Sequence, residues 1–170
     1  MRNLEEPDAQ VITDEEIAQG WQADVSKYMT RLRDQAQGKC VALTAVYRGR
    51  PAGYVNVYFH PENGPFAGTG YPEIVDFGVL EKYRRRGIGS RLMDVAERIA
   101  GQVSDVVCIG VGLHSGYGSA QRMYVRRGYI PDGSGVWFHD RPCQPYGDCR
   151  NDDDLILYLS KALGVGNDEK

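Results

Sequence analysis

The sequence predicts a mixed α/β domain, and three observations predict it. Strand-like runs such as "KCVALTAVY", "EIVDFGVL" and "DVVCIGVGL" alternate along the chain with segments of helical spacing. The order is helices, strands, helix, strand, helix, strands, which fits one sheet of mixed strand directions flanked by helices. The 170 residues, 42% hydrophobic and 25% charged, are enough for a single domain with a proper core.

Each element has its own signal. Residues 13–37 are polar with apolar positions at Ile17, Trp21, Val25, Tyr28, Met29 and Leu32, a spacing that predicts one or two amphipathic helices, with Thr13 or Asp14 as N-cap. "KCVALTAVYRGRPAGYVNVYF" predicts a β-hairpin about the Arg48-Gly49-Arg50-Pro51 turn. "HPENGPFAGTGYP" is a loop of turn formers, and "EIVDFGVL" is a further strand. From Ile88 the apolar positions 88, 92, 95, 96 and 99 form a helical stripe, with Gly101 as its C-cap. "DVVCIGVGL" is near-continuously apolar, as in a strand buried on both faces. "SGYGSAQRMYVRRGY" is a glycine-loosened start, a short helix and Gly128 as the stop. "YIPDGSGVWF" predicts strand–turn–strand, and "DLILYLSKAL" a last strand.

Composition excludes several classes. A formal net charge of −3 argues against a general nucleic-acid binder, so the basic run "YRRRGIGSRLM" is a local exception. No apolar run approaches a membrane span, and "MRNLEEPDAQ" lacks a signal-peptide core. Cys40 and Cys108 sit in apolar runs as small hydrophobes, so a cytoplasmic chain with reduced thiols is expected. His139, Cys143 and Cys149 are spaced too loosely for a structural zinc site, so no metal is expected.

The basic run is the main functional signal. A helix N-terminus offers unpaired N–H groups and a positive dipole end, and glycines let that backbone meet an anion closely. A P-loop would need Gly-x-x-x-x-Gly-Lys-Ser/Thr, which is absent, and a dinucleotide fingerprint would need glycine at Leu92. What stands here is Arg84-Arg85-Arg86-Gly87-Ile88-Gly89, directly after a strand.

That Arg-x-x-Gly-x-Gly pattern resembles the pyrophosphate-binding loop of the GNAT superfamily, the acyl-CoA-dependent N-acyltransferases, as found in its bacterial-type members. "AQRMYVRRGY", one helix and one buried strand later, resembles the family's Ala-x-x-(apolar)-Tyr-x-x-x-Gly-(aromatic) helix. With both motifs in register, the resemblance covers roughly residues 40 to 130. The family often has Asn three residues before the Ala; Tyr117 stands there in this chain. The resemblance implies a central, mostly antiparallel sheet of about six or seven strands, about four flanking helices, and a splay between two central parallel strands. It also implies one acetyltransferase domain over 1–170: a helical part at 1–39, a CoA-binding core at 40–130 and C-terminal strands at 131–170.

The implied chemistry is acetyl transfer from acetyl-CoA, the co-substrate, to a primary amine. Cofactor binding would fall to Val79, Arg84, Arg85, Arg86, Gly87, Ile88, Gly89 and Ser90, with Val79 pairing to the pantetheine arm. Glu73, fourteen residues before Gly87, matches the spacing of the catalytic glutamate in the histone-acetyltransferase branch and is the leading general base, direct or through water. Its other reading is a strand-end charge in water. Residues 73, 75, 77 and 79 share a strand face, and Asp76 faces the other way unless a bulge near Gly78 changes the phase. His114 is a second base candidate, or else a satisfied loop histidine. Tyr124 corresponds to the family tyrosine that faces the CoA sulfur and is the candidate acid; its other reading is a core aromatic. The acidic cluster Asp148, Asp152, Asp153 and Asp154 is either a solvated loop or an attractor for cationic amines. Expected partners are a small-molecule or peptide amine acceptor, with no nucleic acid and no membrane, and a homodimer is compatible with the sequence. The rival function is a non-catalytic CoA-binding regulatory or interaction module on the same fold.

Overall fold

The first hairpin turns at Arg48 and Gly49, both left-handed at φ 49° and 79°. Two such residues in sequence are the geometry that lets right-twisted strands pair across a tight turn. The turn joins β2 (Cys40–Tyr47) to β3 (Arg50–Tyr58), antiparallel with Cys40 opposite Tyr58 and Thr44 opposite Tyr54. The computed structural model describes residues 1–164, and these fall into two compact units.

The first unit holds 1–59 and 74–99. A two-residue strand β1 (Arg2–Asn3) pairs with the outer edge of β2, and β4 (Glu73–Val79) lies beside β3. Helices α1 (Glu6–Ala18) and α2 (Val25–Ala36) cover one face and α3 (Ile88–Ala100) the other. The alternation of β3 shows this. Tyr54 meets Tyr28 of α2 edge-on at 5.3 Å, whereas a Cβ on Gly53 would lie 3.1 Å from Leu92 of α3. Leu4, Ala9, Ile12, Tyr28, Cys40, Ala42 and Tyr54 form a buried cluster under α1 and α2.

The second unit holds 60–73 and, of the described residues, 100–164. Strand β5 (Val106–Gly112) pairs antiparallel with β8 (Leu155–Ala162), β8 with β6 (Ile130–Phe138), and β6 with the short β7 (Arg141–Pro142). Helix α4 (Gly118–Arg126) ends at Gly128, left-handed at φ 89°, as its sequence predicts. Phe66, Cys108 and Tyr158 are the buried centre of one cluster, with Tyr71, Trp137 and Ile156 against it.

The fold is the expected mixed α/β class, with four α-helices among the described residues and antiparallel strand pairs, but some details differ. There are eight strands among the described residues, because β1 and β7 are two residues long and too short to leave a pattern. The first helix begins at Glu6, not near Thr13, and its start is built by Asp8, whose carboxylate accepts the Glu5 N–H at 3.0 Å. Its buried side includes Asp8, Thr13 and Glu16, so no apolar stripe announces it. Asp24 caps α2 by accepting from the Ser26 N–H. The "YIPDGSGVWF" segment is one strand rather than two: Gly133 and Gly135 are left-handed and shift its register against β8 between Pro131 and Val136. No described helix is long and apolar enough to cross a membrane.

Candidate functional site

The loop from Leu80 to Gly87 is shaped by backbone conformations that few residues adopt. Arg84 is extended at φ −62°, Arg85 is left-handed at φ 62°, and Gly87 is left-handed at φ 75°. Two left-handed residues in this short span bend the chain tightly into the helix that follows. Helix α3 starts immediately afterwards, with the Gly87 carbonyl accepting from the Arg91 N–H at 3.1 Å. The two glycines act differently. At Gly87 a Cβ would meet nothing within 4 Å, so the requirement is conformational. At Gly89 a Cβ would lie 3.2 Å from Phe77 and 3.5 Å from Val79, so the requirement is close approach of α3 to β4.

The arginines are also distinct. Arg84 donates to the Val79 carbonyl at 3.3 Å, pairs with Glu81 at 3.3 Å and stacks over Trp21. Arg86 lies over the Tyr47 ring at 5.2 Å. Arg85 is exposed and has no partner among the described residues. Ile88 is half-buried and Ser90 exposed. Val79 and residues 84–90 therefore come together at one end of β4.

The phase of β4 is broken at Asp76, left-handed at φ 50°. A kink there was one of the two sequence expectations, though it falls two residues earlier than Gly78. Asp76 is held by Arg31 of α2, whose Nε and Nη2 both lie 2.7 Å from its carboxylate. Arg31 in turn donates to the Tyr58 hydroxyl at 2.6 Å, and Tyr58 donates to Asp34 at 2.6 Å. Sequence reasoning missed Arg31. Asp76 lies 45 residues away, and a lone arginine on a polar helix carries no pattern.

In the second unit, Tyr124 is buried on α4, 5.9 Å ring to ring from Tyr129. Burial, with a smaller push from Tyr117, raises its phenol well above the usual tyrosine value. Glu73 is half-buried, and its charge helps raise the thiol of Cys108 and the phenol of Tyr158, whose main cause is burial.

His114 is the satisfied loop histidine. Its Nδ1 accepts the Gly116 N–H at 3.1 Å, so Nε2 carries the proton and donates to Asp153 at 2.9 Å. With both nitrogens engaged, no lone pair is left for a substrate proton. Tyr117, in the place where the family often has Asn, donates to the same Asp153 oxygen at 2.8 Å. His114 and Tyr117 hold the Asp153 carboxyl below the usual aspartate range. Part of the acidic cluster is thus fastened to the loop after β5. All four cysteines are free thiols, and no cluster of metal-ligating side chains occurs among the described residues.

The sequence matches the Acetyltransferase (GNAT) family over residues 3–129. Among curated proteins no sequence matches. Among solved structures the fold resembles a ribosomal-protein-alanine N-acetyltransferase from Brucella melitensis at TM-score 0.67 and 17% identity, covering 95% of this chain and 98% of that one. It resembles the ribosomal-protein-S18-alanine N-acetyltransferase from Escherichia coli at TM-score 0.66 and 11% identity, covering 99% and 96%. A GNAT family acetyltransferase from Elizabethkingia anophelis with acetyl-CoA bound is similar at TM-score 0.54 and 20% identity, covering 78% and 82%.

Proposed function

Because the chain belongs to the GNAT acetyltransferase family, we propose that it transfers an acetyl group from acetyl-CoA to a primary amine of a small molecule or peptide. The observation that carries this reading is the Arg84–Gly87 loop, whose left-handed Arg85 and Gly87 lead directly into the first turn of α3, where unpaired N–H groups suit an anion. Its N–H groups and the unpaired Arg85 suit a pyrophosphate, and the Val79 N–H suits an amide carbonyl of the pantetheine arm. The similarity of the fold to ribosomal-protein-alanine acetyltransferases supports a peptide amine as one acceptor class.

Acetyl-CoA would supply the acetyl group as a thioester, whose carbonyl carbon accepts the amine lone pair and whose sulfur departs with its bonding electrons. Alkyl amines carry a proton below about pH 10, so one proton must leave before attack. Glu73, directly or through a water, is the proposed base. The proposed role of Tyr124 is refined by its burial. Its phenol sits above about 10 while a free alkyl thiol lies near about 8.5, so full transfer to the leaving sulfur runs uphill by at least about 2 kcal/mol. Tyr124 acts best as a hydrogen-bond donor to the departing thiolate, lowering its charge without giving up the proton.

The test is thiol release from acetyl-CoA against a panel of amines and N-terminal peptides, run beside Tyr124→Phe. Turnover with at least one amine is expected, with kcat of the variant falling at least about tenfold at little cost in acetyl-CoA affinity. Unchanged kcat removes Tyr124 from the mechanism. Acetyl-CoA binding without turnover on any amine favours the non-catalytic module, and absence of binding by calorimetry refutes the reading.

A further inference from the structure

Under α1 and α2 lies a buried carboxylate with more chemistry around it than the core needs. Glu16 of α1 is 2% exposed. Its Oε1 accepts the hydroxyl of Tyr54, a residue 6% exposed. Its Oε2 has no hydrogen-bond partner. The hydroxyl of Tyr28, 1% exposed, also lacks a partner, and so does the buried Nε2 of Gln19, one helical turn after Glu16. Burial first, then Tyr54 and Glu16, raises the phenol of Tyr28 far above its usual value, and burial with Glu16 raises that of Tyr54. The unpartnered Glu16 Oε2 and Tyr28 hydroxyl call for a guest, because each leaves its desolvation uncompensated.

The kind of guest is shown by what stands there already. The Lys27 ammonium lies 3.7 Å from Glu16 Oε2, 4.6 Å from the Tyr28 ring centre and 5.2 Å from that of Tyr54. A carboxylate and two aromatic faces are what an aliphatic ammonium prefers. Yet the fit is incomplete. At 3.7 Å the charges attract, but the hydrogen bond is unmade; a charge-assisted one would be about 2.7–2.9 Å. The side chain of Lys27 remains 33% exposed. It also stands in the first turn of α2, a turn with no acidic residue, where its charge opposes the helix dipole. Tyr54 meanwhile lies directly over Gly78, where a Cβ would come within 2.6 Å of its hydroxyl, one residue before Val79. The cluster therefore abuts the part of β4 assigned to the co-substrate.

From this geometry we infer that Glu16, Tyr28 and Tyr54 form a subsite for a primary ammonium of the acceptor, filled by the Lys27 ammonium until the acceptor displaces it. The inference rests on the N-acetyltransferase reading for its biological meaning, but the subsite itself is testable without turnover. An untethered ammonium is free to close to hydrogen-bond distance of Glu16 Oε2, which the tethered lysine at 3.7 Å does not.

The experiment is chemical rescue. Thermal melting of wild type, Lys27→Ala and Lys27→Ala/Glu16→Gln is followed with n-propylammonium chloride, against sodium chloride at equal ionic strength. The expected result is a saturable rise in Tm for Lys27→Ala, which is absent from the double variant and at least about tenfold weaker in apparent affinity for wild type, where the lysine competes. Equal responses in all three proteins, or no response in Lys27→Ala, overturn the inference and leave the cluster a site for water only. In the acetylation assay, Glu16→Gln should raise KM for the amine by about tenfold, the scale of one charged hydrogen bond, with KM for acetyl-CoA unchanged. A parallel rise in both constants overturns the subsite. Rescue without any acetylation of amines would instead uphold the ammonium subsite and fail the enzymatic reading.

Discussion

The Arg84–Gly87 loop makes a quantitative prediction that separates backbone shape from charge. Gly87→Ala introduces no clash, since nothing lies within 4 Å of the new Cβ, so its whole effect comes from φ 75°. A non-glycine residue held left-handed costs about 1–2 kcal/mol. If the loop keeps its shape, the protein loses that much stability. If the loop relaxes toward negative φ, the N–H groups of Gly87 and Ile88 turn away from the anion. Acetyl-CoA binding then falls by a comparable energy, roughly five- to thirtyfold. Arg85→Gln removes an exposed, screened charge and should weaken binding by less than about fivefold. Because Arg85 is itself left-handed at φ 62°, Arg85→Gly should raise Tm while weakening binding no more than Arg85→Gln does. The assay is calorimetric titration with acetyl-CoA at one fixed salt concentration, with melting curves for each variant. Arg85→Gln costing more affinity than Gly87→Ala, with Gly87→Ala as stable as wild type, would refute the backbone argument and restore a simple charge clamp.

Three further predictions follow from particular contacts. Gly78→Ala places a Cβ 2.6 Å from Tyr54 and should destabilise by about 1–3 kcal/mol in urea unfolding, because the ring is buried and cannot swing away. At Asp76, Gly should be better tolerated than Ala by about 1 kcal/mol: both lose the Arg31 pair, but only Ala is strained at φ 50°. Asp153 is held below its ordinary range by His114 and then Tyr117, so its contribution is complete above the unfolded-state value of about 4 and is lost as pH falls through the lower folded-state value. Asp153→Asn should therefore lower Tm at neutral pH and show less change than wild type across the acid limb; identical acid limbs would show that the carboxylate is not linked to folding.

Much of this protein was legible in residue order, and the pieces that were share a physical reason. The helix stripe from Ile88, the Gly128 stop, the Arg48-Gly49 hairpin and the Arg-x-x-Gly-x-Gly loop are local: each is written in residues a few positions apart, through side-chain period or glycine conformation. What was not legible depends on partners far apart in the chain. Helix α1 hid because it buries Asp8, Thr13 and Glu16, whose burial is made tolerable by Arg2, the Ala9 carbonyl and Tyr54. The two readings of His114 were separated only by Gly116 and Asp153, which occupy its two nitrogens.

The sequence by itself therefore determined the class of fold, the family and the left-handed turn into α3 that we propose for the pyrophosphate, because glycine at a strand-to-helix junction acts through local backbone geometry. Tertiary structure alone decided which arginine is left unpaired, where β4 breaks phase, and that Lys27 meets Glu16 between two tyrosines. Those outcomes are set by helices α1 and α2 packing onto β3 and β4, and burial and charge pairing of that kind exist only once distant segments have come together.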